Sequence, residues 1–337
     1  MHIAICVATF QRPRLLRKLL NGIAALKFPK VGMPVITVIV VDNDASGTAK
    51  HVSYSPFPWR LRYVLEPKRG IAEARNRALK EIGDADFLAF IDDDEVPSAL
   101  WLDELLFAQA NFRANVVTGP VYPSFTADVP AWIRRADFFD RPAHRTGESL
   151  ACCSTNNALV TREVFDRVGG FDDRFQFTGG EDLHFFTRVR LAGFRIVWSQ
   201  EAVVTETISR DRANLGSLLR RAYRGGNSYT LVESSLNVGI VGVRLVRLLK
   251  GCARILQGSL KTCASLLTGR VTSLVRALGS ICSGMGMLAG LVGLRYQAYK
   301  NVSGDPAEEP ADADLVLVGT EIKPEAASES LNAGAVD

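Results

Sequence analysis

The sequence predicts an α/β fold, a doubly wound and mostly parallel sheet with helices on both faces. Four short segments near the start of the chain are almost wholly apolar, as expected of strands that are covered on both faces. Apolar residues at helical spacing alternate with these strands, and this alternation is typical of parallel sheets. The strands run into Thr9, Asp42 and an acidic stretch that begins at Asp92, so these distant residues are expected to meet in one crevice.

The first part of the chain reads as four strand-then-helix units. The strands are expected at residues 3–8, 35–41, 61–65 and 87–91. After the first strand, leucines recur at helical spacing up to Ile23. Less regular sequence follows, and then a strand, two helices and an arginine-rich segment are expected at 156–161, 162–168, 181–191 and 210–226.

Charge is unevenly distributed along the 337 residues. Lys and Arg total 40 and Asp and Glu total 36, so the formal net charge is only +4, which argues against a globally basic, nucleic-acid-binding surface. Residues 236–300 nevertheless hold nine bases and no acid, whereas residues 301–337 hold nine acids and one base. The whole-chain charge therefore conceals a strongly basic segment, and we expect no nucleic-acid partner.

Four carboxylates in a row, those of Asp92, Asp93, Asp94 and Glu95, follow the fourth strand. Such a cluster repels itself unless a cation neutralises it, and Mg²⁺ or Mn²⁺ takes oxygen ligands of this kind while keeping sites for phosphate oxygens. The alternative is a solvated acidic turn. The position at a strand end favours the metal site.

Five motifs occur in an order that resembles a known family. They are CVATFQR at 6–12, VVDN at 40–43, GIAEARN at 70–76, FIDDDE at 90–95 and GGED at 179–182. Together they resemble the inverting family-2 glycosyltransferases, which have the GT-A fold, over about residues 1–230. With the later RRAYRGG segment, they are most similar to bacterial exopolysaccharide glucosyltransferases of the succinoglycan-assembly type.

This resemblance implies a division of the chain. A GT-A domain would occupy residues 1–232, with a nucleotide-binding half at 1–115 and an acceptor and catalytic half at 116–232. A basic amphipathic helical segment would follow at 236–300. The last part, 303–337, is rich in Ala, Pro, Glu, Asp and Ser and reads as a disordered acidic tail.

The resemblance also implies a donor site for a nucleotide sugar. Thr9 and Asp42 would contact the base and Asp92 the ribose, and Asp94 would bind the metal that bridges the two phosphates. Further donor contacts are implied for three residues of the same motifs, Arg12, Arg75 and Asp93. Two alternatives remain open, since Asp42 also suits an Asx turn and Arg75 an ion pair on its helix.

Asp182 is the expected general base, which removes the proton from the acceptor hydroxyl as it attacks the sugar. The ED motif begins a helix, and the positive end of the helix dipole favours an ionised carboxylate there. Both acids of the motif, Glu181 and Asp182, alternatively only cap the helix. No Ser/His/Asp or Cys/His nucleophile set is apparent, which agrees with a single displacement.

Two positions depart from the family pattern. Many relatives carry a His where this chain offers Glu206, which is either a further metal ligand or a partner of Arg210 or Arg212. The arginine-rich segment 220–226 replaces the QxxRW motif of processive synthases. Arg221 and Arg224 are expected to clamp a diphosphate, and the missing Gln and Trp favour the addition of a single sugar.

The basic segment suggests a membrane partner. Apolar residues from Val241 to Leu266 share one helical face, and Arg244, Arg247, Lys250, Arg254 and Lys261 share another, as in helices that lie in an anionic membrane surface. Residues 277–294 carry no charge but five glycines, so they suit a re-entrant or interfacial hairpin as well as a span. The alternative is ordinary helices that pack on the catalytic domain.

These features predict a metal-dependent inverting enzyme that adds one sugar, glucose from UDP-glucose, to a polyprenyl-diphosphate-linked saccharide during surface-polysaccharide assembly. The expected location is the inner face of the cytoplasmic membrane, with peripheral or re-entrant attachment. The alternative is a catalytically degenerate, membrane-associated scaffold that binds a nucleotide sugar or a partner enzyme. A nucleotidyltransferase is disfavoured because the loop after the first strand lacks glycine.

Overall fold

The structure is a computed structural model that describes residues 1–52, 57–236, 240–298 and 304–305. The side chain of Val241 lies outside the described part, as does the predicted acidic tail apart from two of its residues.

The chain forms a mixed α/β structure followed by three long helices. The strands are β1 (His2–Thr9), β2 (Val35–Asp42), β3 (Arg60–Leu65), β4 (Phe87–Ile91), β5 (Glu95–Pro97), β6 (Val116–Thr118), β7 (Val121–Phe125), β8 (Asn157–Thr161), β9 (Ile196–Trp198) and β10 (Val204–Ile208). The helices are α1 (Pro13–Ala24), α2 (Ile71–Glu81), α3 (Trp101–Phe112), α4 (Ala131–Arg134), α5 (Arg162–Val168), α6 (Glu181–Leu191), α7 (Leu215–Ser235), α8 (Ile240–Thr268) and α9 (Val271–Leu291).

Seven strands form the main sheet, in the order β3-β2-β1-β4-β8-β6-β9. The strands β3, β2, β1 and β4 are parallel, so the predicted mostly parallel sheet is confirmed. Two details differ from the prediction. The described part of the connection between β2 and β3 contains no helix, and β8 runs antiparallel to both of its neighbours.

The central strands are buried because both faces of the sheet are covered. On β1, Ile3, Ile5 and Val7 face one side, where α1 and α3 pack, and Ala4 and Cys6 face the other side, where α2 and α6 pack. Successive strand residues point to opposite faces, so a strand covered on both sides must be apolar throughout. This is why continuous apolar runs marked these strands in the sequence.

A second, three-stranded sheet, β5-β10-β7, carries a distant residue to the carboxyl edge of the main sheet. Its register pairs Glu206 on β10 with Glu95 on β5. The N–H of Thr207 donates to the carbonyl of Asp94 at 2.8 Å. The antiparallel direction of β8 brings the polar residues before it to the same edge, since Asn157 pairs with Ile91 at the end of β4.

The last three helices pack through glycines. A Cβ on Gly226 of α7 would come within 2.1 Å of the carbonyl oxygen of Ser283 on α9, and a Cβ on Gly286 within 2.1 Å of that of Tyr223. On α8, a Cβ on Gly258 would lie 2.8 Å from the carbonyl oxygen of Ala277. The three helix backbones therefore touch. Helix α9 packs on α7, most of which lies in the predicted GT-A domain, as one of the alternatives for the basic segment expected.

Candidate active site

A cleft of about 480 Å³ opens at the carboxyl edge of the main sheet, a size typical of ligand sites. Seven arginines and seven carboxylates line it. They are Arg12, Arg75, Arg141, Arg212, Arg220, Arg221, Arg224, Asp92, Asp93, Asp94, Glu181, Asp182, Glu206 and Asp211. The structure thus brings ten of the eleven sequence-predicted site residues to one place, since Thr9 bonds Asp93 at the rim and only Asp42 stands apart.

Three of the four acids in the turn after β4, Asp93, Asp94 and Glu95, are buried, and the turn is hydrogen bonded. Glu95 accepts from the N–H of Asp92 at 2.8 Å and from Nδ2 of Asn156 at 3.0 Å, which closes the turn. Asp93 accepts from the hydroxyl of Thr9 at 2.8 Å and from Nη1 of Arg12 at 3.1 Å. A solvated turn, the alternative in the sequence, does not describe this geometry.

Asp94 and Glu206 share one guanidinium. Nη1 of Arg212 donates to Asp94 at 2.7 Å, and Nη2 donates to Glu206 at 2.5 Å. Arg12 also donates to Asp94, at 3.3 Å, and Arg141 to Glu206, at 3.2 Å. Glu206 therefore pairs with arginine, as one of its two alternatives expected, and its role as a metal ligand stays a prediction.

The two carboxylates suit a divalent cation by their chemistry. In the part of the chain that the structure describes, no group of three His, Cys, Asp or Glu side chains is arranged to hold a metal ion. However, Asp94 and Glu206 lie only one guanidinium apart, and Mg²⁺ or Mn²⁺ completes its shell with water and phosphate oxygens. The residues fit such an ion if Arg212 moves aside.

The pKa values of Asp94 and Glu206 reflect both burial and the neighbouring charges. Burial raises the pKa of Asp94 to about 7, with Arg212 opposing the rise and Glu206 adding to it. For Glu206, burial also raises the pKa, but Arg212 and Arg141 outweigh it and the net shift is downward. A further cation would favour the charged form of Asp94.

Arg75 connects two motifs that lie far apart in the sequence. From its position on α2 it donates to Glu181 at 2.5 Å and to Asp92 at 3.3 Å, and its side chain is only 8% exposed. The ion-paired alternative for Arg75 is therefore present in the structure. Because Arg75 also lines the cleft, a donor contact is compatible with these pairs.

Asp182 lies in the first turn of α6 and faces the cleft. Its carboxylate accepts from the N–H of Leu183 at 2.6 Å. Burial raises its pKa, although Arg75 opposes the shift. The sequence argument considered the helix dipole alone and expected an ionised carboxylate, whereas desolvation outweighs the local donors here.

Helix α7 carries four cleft residues on one face. Ser217, Arg220, Arg221 and Arg224 follow at helical spacing and all line the cleft. Arg221 stacks on the ring of Phe139 at 5.1 Å, and burial together with the neighbouring arginines lowers its pKa to about 10. This cluster of arginine side chains suits an anionic ligand.

The same helix holds the loop before the ED motif. The hydroxyl of Ser228 donates to the carbonyl of Thr178 at 3.1 Å. A Cβ on Gly180 would lie 3.2 Å from the Cβ of Ser228, and Gly179 has φ +74°, a conformation that favours glycine. The paired glycines thus let the loop pass closely over α7 and turn Asp182 into the cleft.

A small slot of about 100 Å³ adjoins the cleft between β1 and α2. Thr9, Phe10 and Asn43 line it, and the guanidinium of Arg69 lies 4.4 Å from the centre of the Phe10 ring. A small, partly apolar slot beside the cleft suits a nucleotide base.

Asp42 does not line this slot. It is fully buried, and it accepts from the N–H of Ala49 at 2.8 Å and from the hydroxyl of Tyr63 at 2.9 Å. It also accepts from the N–H of Asp44 at 3.1 Å, which is the Asx-turn contact of the alternative. Its neighbour Asn43 occupies the slot wall instead, and the base contact of Asp42 stays a prediction.

Several cleft residues escaped the sequence analysis as site residues, among them Arg141, Asn156, Arg212 and Tyr296. Arg141 and Tyr296 lie in irregular segments, where no period indicates which way a side chain points. Asn156 carried a usable signal, because the polar run Ser154-Thr155-Asn156 precedes a predicted strand.

The sequence matches a family model and several characterised proteins. The sequence model described as "Glycosyltransferase like family 2" matches residues 2–228. The succinoglycan biosynthesis protein ExoM of Rhizobium meliloti (strain 1021) is 36% identical over 237 residues, which cover 68% of this chain and 74% of that protein. The glucosyl-dolichyl phosphate glucuronosyltransferase of Haloferax volcanii is 22% identical over 248 residues, covering 69% and 77%.

The fold also matches a solved structure. The mannosyltransferase PcManGT from Pyrobaculum calidifontis, in complex with GDP-Man and Mn²⁺, superposes with a TM-score of 0.57 at 20% identity, and the match covers 86% of each chain. At this identity the likeness concerns the fold.

Proposed function

The chain belongs to glycosyltransferase family 2, and from that premise we propose that it is a metal-dependent inverting enzyme that transfers one sugar, glucose from UDP-glucose, to a lipid-linked saccharide. Its similarity to a succinoglycan biosynthesis protein supports a role in polysaccharide synthesis.

One observation carries the proposal. The acidic turn after β4, Glu206 on β10, the ED motif on α6 and the arginines of α7 come from four distant parts of the chain and line one cleft. The acidic turn and Glu206 would hold the metal that neutralises the leaving diphosphate. The ED motif would supply the base, and the arginines would contact the phosphates. A slot suited to a planar base adjoins this cleft.

The donor would lie along the carboxyl edge of β1 and β4. Its base would enter the slot at Thr9 and Asn43, and its diphosphate would meet Arg12, which already faces Asp93 and Asp94. Mg²⁺ or Mn²⁺ at Asp94 and Glu206 would supply Lewis-acid neutralisation of the leaving diphosphate. Arg221 and Arg224 would contact the same phosphates or those of the acceptor.

Asp182 would serve as the base in a single displacement. The acceptor oxygen forms a bond to C1 of the donor sugar, and the bond between C1 and the diphosphate oxygen breaks with its electrons leaving on the diphosphate. The acceptor proton passes to the carboxylate of Asp182. The raised pKa of Asp182 suits this task, because a stronger base removes the proton more readily.

The test is nucleotide-sugar turnover by the purified protein. With UDP-glucose and Mn²⁺ we expect release of UDP, loss of that release with EDTA, and a rate at least about a hundredfold lower in Asp94→Asn. Asp166→Asn, at an exposed position on α5, is the matched control. Thermal stabilisation by UDP-glucose without any turnover, even with membranes present, would instead favour the scaffold alternative.

The helical hairpin supports attachment to an anionic membrane. On α8 the leucines face outward, and Leu249, Leu256 and Leu267 are 60%, 65% and 89% exposed. The opposite side, with Gly251 and Gly258, packs on α9. A soluble helix shows the reverse arrangement, with its leucines against the protein.

Cations accompany the exposed leucines. Lys250, Arg254 and Lys261 are exposed on α8, beside the leucine face, and residues 236–300 contain no acid. Among the described residues one helix, α9, is long and apolar enough to cross a membrane, with a mean hydropathy of 1.4, and 39% of that stretch is buried against the rest of the protein. An interfacial hairpin on the cytoplasmic leaflet fits both helices.

Sedimentation with vesicles tests this attachment. The full chain should sediment with vesicles that contain phosphatidylglycerol, and Leu249→Asp should weaken binding more than tenfold, because burial of a leucine contributes about 1.5–3 kcal/mol. Leu191→Asp, at a 51% exposed leucine of α6, is the control. Equal sedimentation of Leu249→Asp and the unaltered chain would contradict the proposal.

A further inference from the structure

The segment that follows α9 returns to the catalytic cleft. Tyr296 and Ala298 line the cleft together with Asp182 and Arg224. The division predicted from the sequence placed these residues in a separate basic segment. In the structure the hairpin therefore supplies part of the wall of the active site.

Asn227 of α7 holds this wall in place. Its side chain is fully buried, and its Nδ2 donates to the carbonyl of Leu294 at 2.8 Å and to that of Gly286 at 3.3 Å. Its Oδ1 accepts from the N–H of Tyr296 at 3.0 Å. A buried amide with three partners ties α7, α9 and the wall segment together, and loss of one partner would leave buried polar groups unsatisfied.

The ring of Tyr296 is fixed against α7. It packs edge-on against the ring of Tyr223, with centroids 5.5 Å apart and an angle of 72° between the planes. The remaining aromatic residue of the cleft, Phe139, is only 5% exposed, and Arg221 covers its ring. Tyr296 is half-buried, and it is therefore the aromatic surface that the cleft offers to a ligand.

A saccharide suits such a surface. A sugar ring presents C–H groups on its faces and hydroxyls at its edge, and tyrosine combines an apolar ring with a polar hydroxyl. Tyr296 does not line the slot between β1 and α2 where the donor base would bind. Tyr296 and Asp182 line the same cleft, and the acceptor hydroxyl must enter this cleft to reach Asp182.

We propose that Tyr296 binds the terminal sugar of the acceptor saccharide and that Asn227 is its positioning residue. This inference rests on the proposed glycosyltransferase activity. It implies that the hairpin takes part in acceptor recognition as well as in the proposed membrane attachment, because α8 carries the exposed leucines and α9 leads into the wall segment.

The experiment compares donor use with acceptor use in the full-length protein. Donor use is the release of UDP from UDP-glucose and Mn²⁺ without acceptor. Acceptor use is the transfer of labelled glucose into the solvent-extractable lipids of membranes from the source organism, titrated against the amount of membrane. We expect Tyr296→Ala to raise the half-saturating amount of membrane at least tenfold while UDP release stays within about twofold.

Two further variants sharpen the result. Tyr296→Phe retains the ring and should stay within about threefold of the unaltered chain, and Tyr122→Ala, at an exposed tyrosine outside the cleft, should have no effect. Asn227→Ala should reproduce the acceptor defect, and the double variant should be no worse than either single one, because both act through one wall.

Each contrary result is distinct. If the unaltered chain releases no UDP and transfers no sugar, the proposed function fails and the inference fails with it. If the unaltered chain is active but Tyr296→Ala titrates the membranes normally, only the role of Tyr296 is overturned. If Tyr296→Ala loses UDP release in parallel, Tyr296 serves the donor or the fold, and the inference is again overturned.

Discussion

Arg212 bonds both carboxylates that are proposed to hold the metal, Asp94 and Glu206. A divalent ion would compete with this arginine, and a diphosphate would offer the arginine another partner. We therefore expect metal and donor to bind cooperatively.

Removal of the competing charge tests this account. Arg212→Gln should bind Mn²⁺ about tenfold more tightly than the unaltered chain in the absence of nucleotide, because Asp94 and Glu206 lose the arginine that they share and keep only their longer contacts to Arg12 and Arg141. Calorimetric titration with Mn²⁺ measures the effect. Arg210→Gln, at a neighbour that bonds a backbone carbonyl, is the control. Weaker Mn²⁺ binding by Arg212→Gln would contradict the competition.

The two acids of the ED motif should control the response of the enzyme to pH. Burial raises the pKa of Asp182, and it raises that of Glu181 to about 7. A base must be ionised to accept the proton, so the acid limb of the pH profile of kcat should lie above the ordinary pKa range of an aspartate.

The variant Arg75→Gln tests whether the pKa of the two ED acids sets the acid limb. Its charge lowers the pKa of both acids, so Arg75→Gln should move the acid limb to higher pH. Arg62→Gln, which removes an exposed partner of Glu81, should leave the limb in place. A limb that stays put or moves to lower pH in Arg75→Gln would rule out this electrostatic link.

At the scale of the elements, the N-terminus of helix α1 is capped by Asp305, a residue far from it in the sequence. Pro13 opens the helix and the side chain of Arg12 caps no N–H. Asp305 accepts from the N–H of Arg14 at 2.9 Å and from that of Leu15 at 3.4 Å. The N–H of Asp305 donates to the carbonyl of Gln11 at 2.9 Å.

Loss of this cap should lower stability. Asp305→Ala should cost about 1 kcal/mol of the free energy of unfolding, the usual value for a helix cap, and lower Tm by about 2 °C. Thermal unfolding followed by circular dichroism measures it, with Asp166→Ala at an exposed position as the control. An unchanged Tm would show that Asp305 contributes nothing to α1.

Secondary-structure elements with a regular hydrophobic pattern were predicted well from the sequence, and elements too short to show such a pattern were not. Continuous apolar runs marked β1, β2 and β4 because both sheet faces are covered. Three-residue strands such as β5 have no period, so the small sheet that carries Glu206 to the acidic turn escaped prediction.

Helix α8 shows a second limit. Its spacing correctly grouped the leucines, but periodicity does not tell which face meets the protein. Arg247, expected among the exposed cations, is 8% exposed and pairs with Glu233 of α7.

At the scale of the whole molecule, the catalytic part and the hairpin form one structure. Asn227 joins α7 to α9, and Tyr296 carries the chain from the hairpin into the cleft. Most of the site residues predicted from the motifs line one cleft because the carboxyl ends of parallel strands meet at one edge. The sequence motifs could not predict that Tyr296 lines the cleft, since no spacing rule relates residue 296 to the strands.

Truncation tests whether the hairpin is needed for sugar transfer as well as for membrane attachment. A chain that ends at residue 235 should fail to sediment with anionic vesicles and should lose sugar transfer, because it lacks both the leucine face and the wall at Tyr296. The donor residues precede the cut, so thermal stabilisation by UDP-glucose should remain and report that the catalytic part is folded. Undiminished transfer by this truncated chain would show that the hairpin is only an anchor.

The central claim is that Asp182 removes the acceptor proton in a cleft built to hold a nucleotide sugar. The most direct measurement compares Asp182→Asn with the unaltered chain for UDP-glucose binding by calorimetry and for sugar transfer to membranes. We predict transfer lower by about two to four orders of magnitude and a donor Kd within about threefold, with Asp166→Asn unaffected in both. Transfer by Asp182→Asn at the rate of the unaltered chain would contradict the claim.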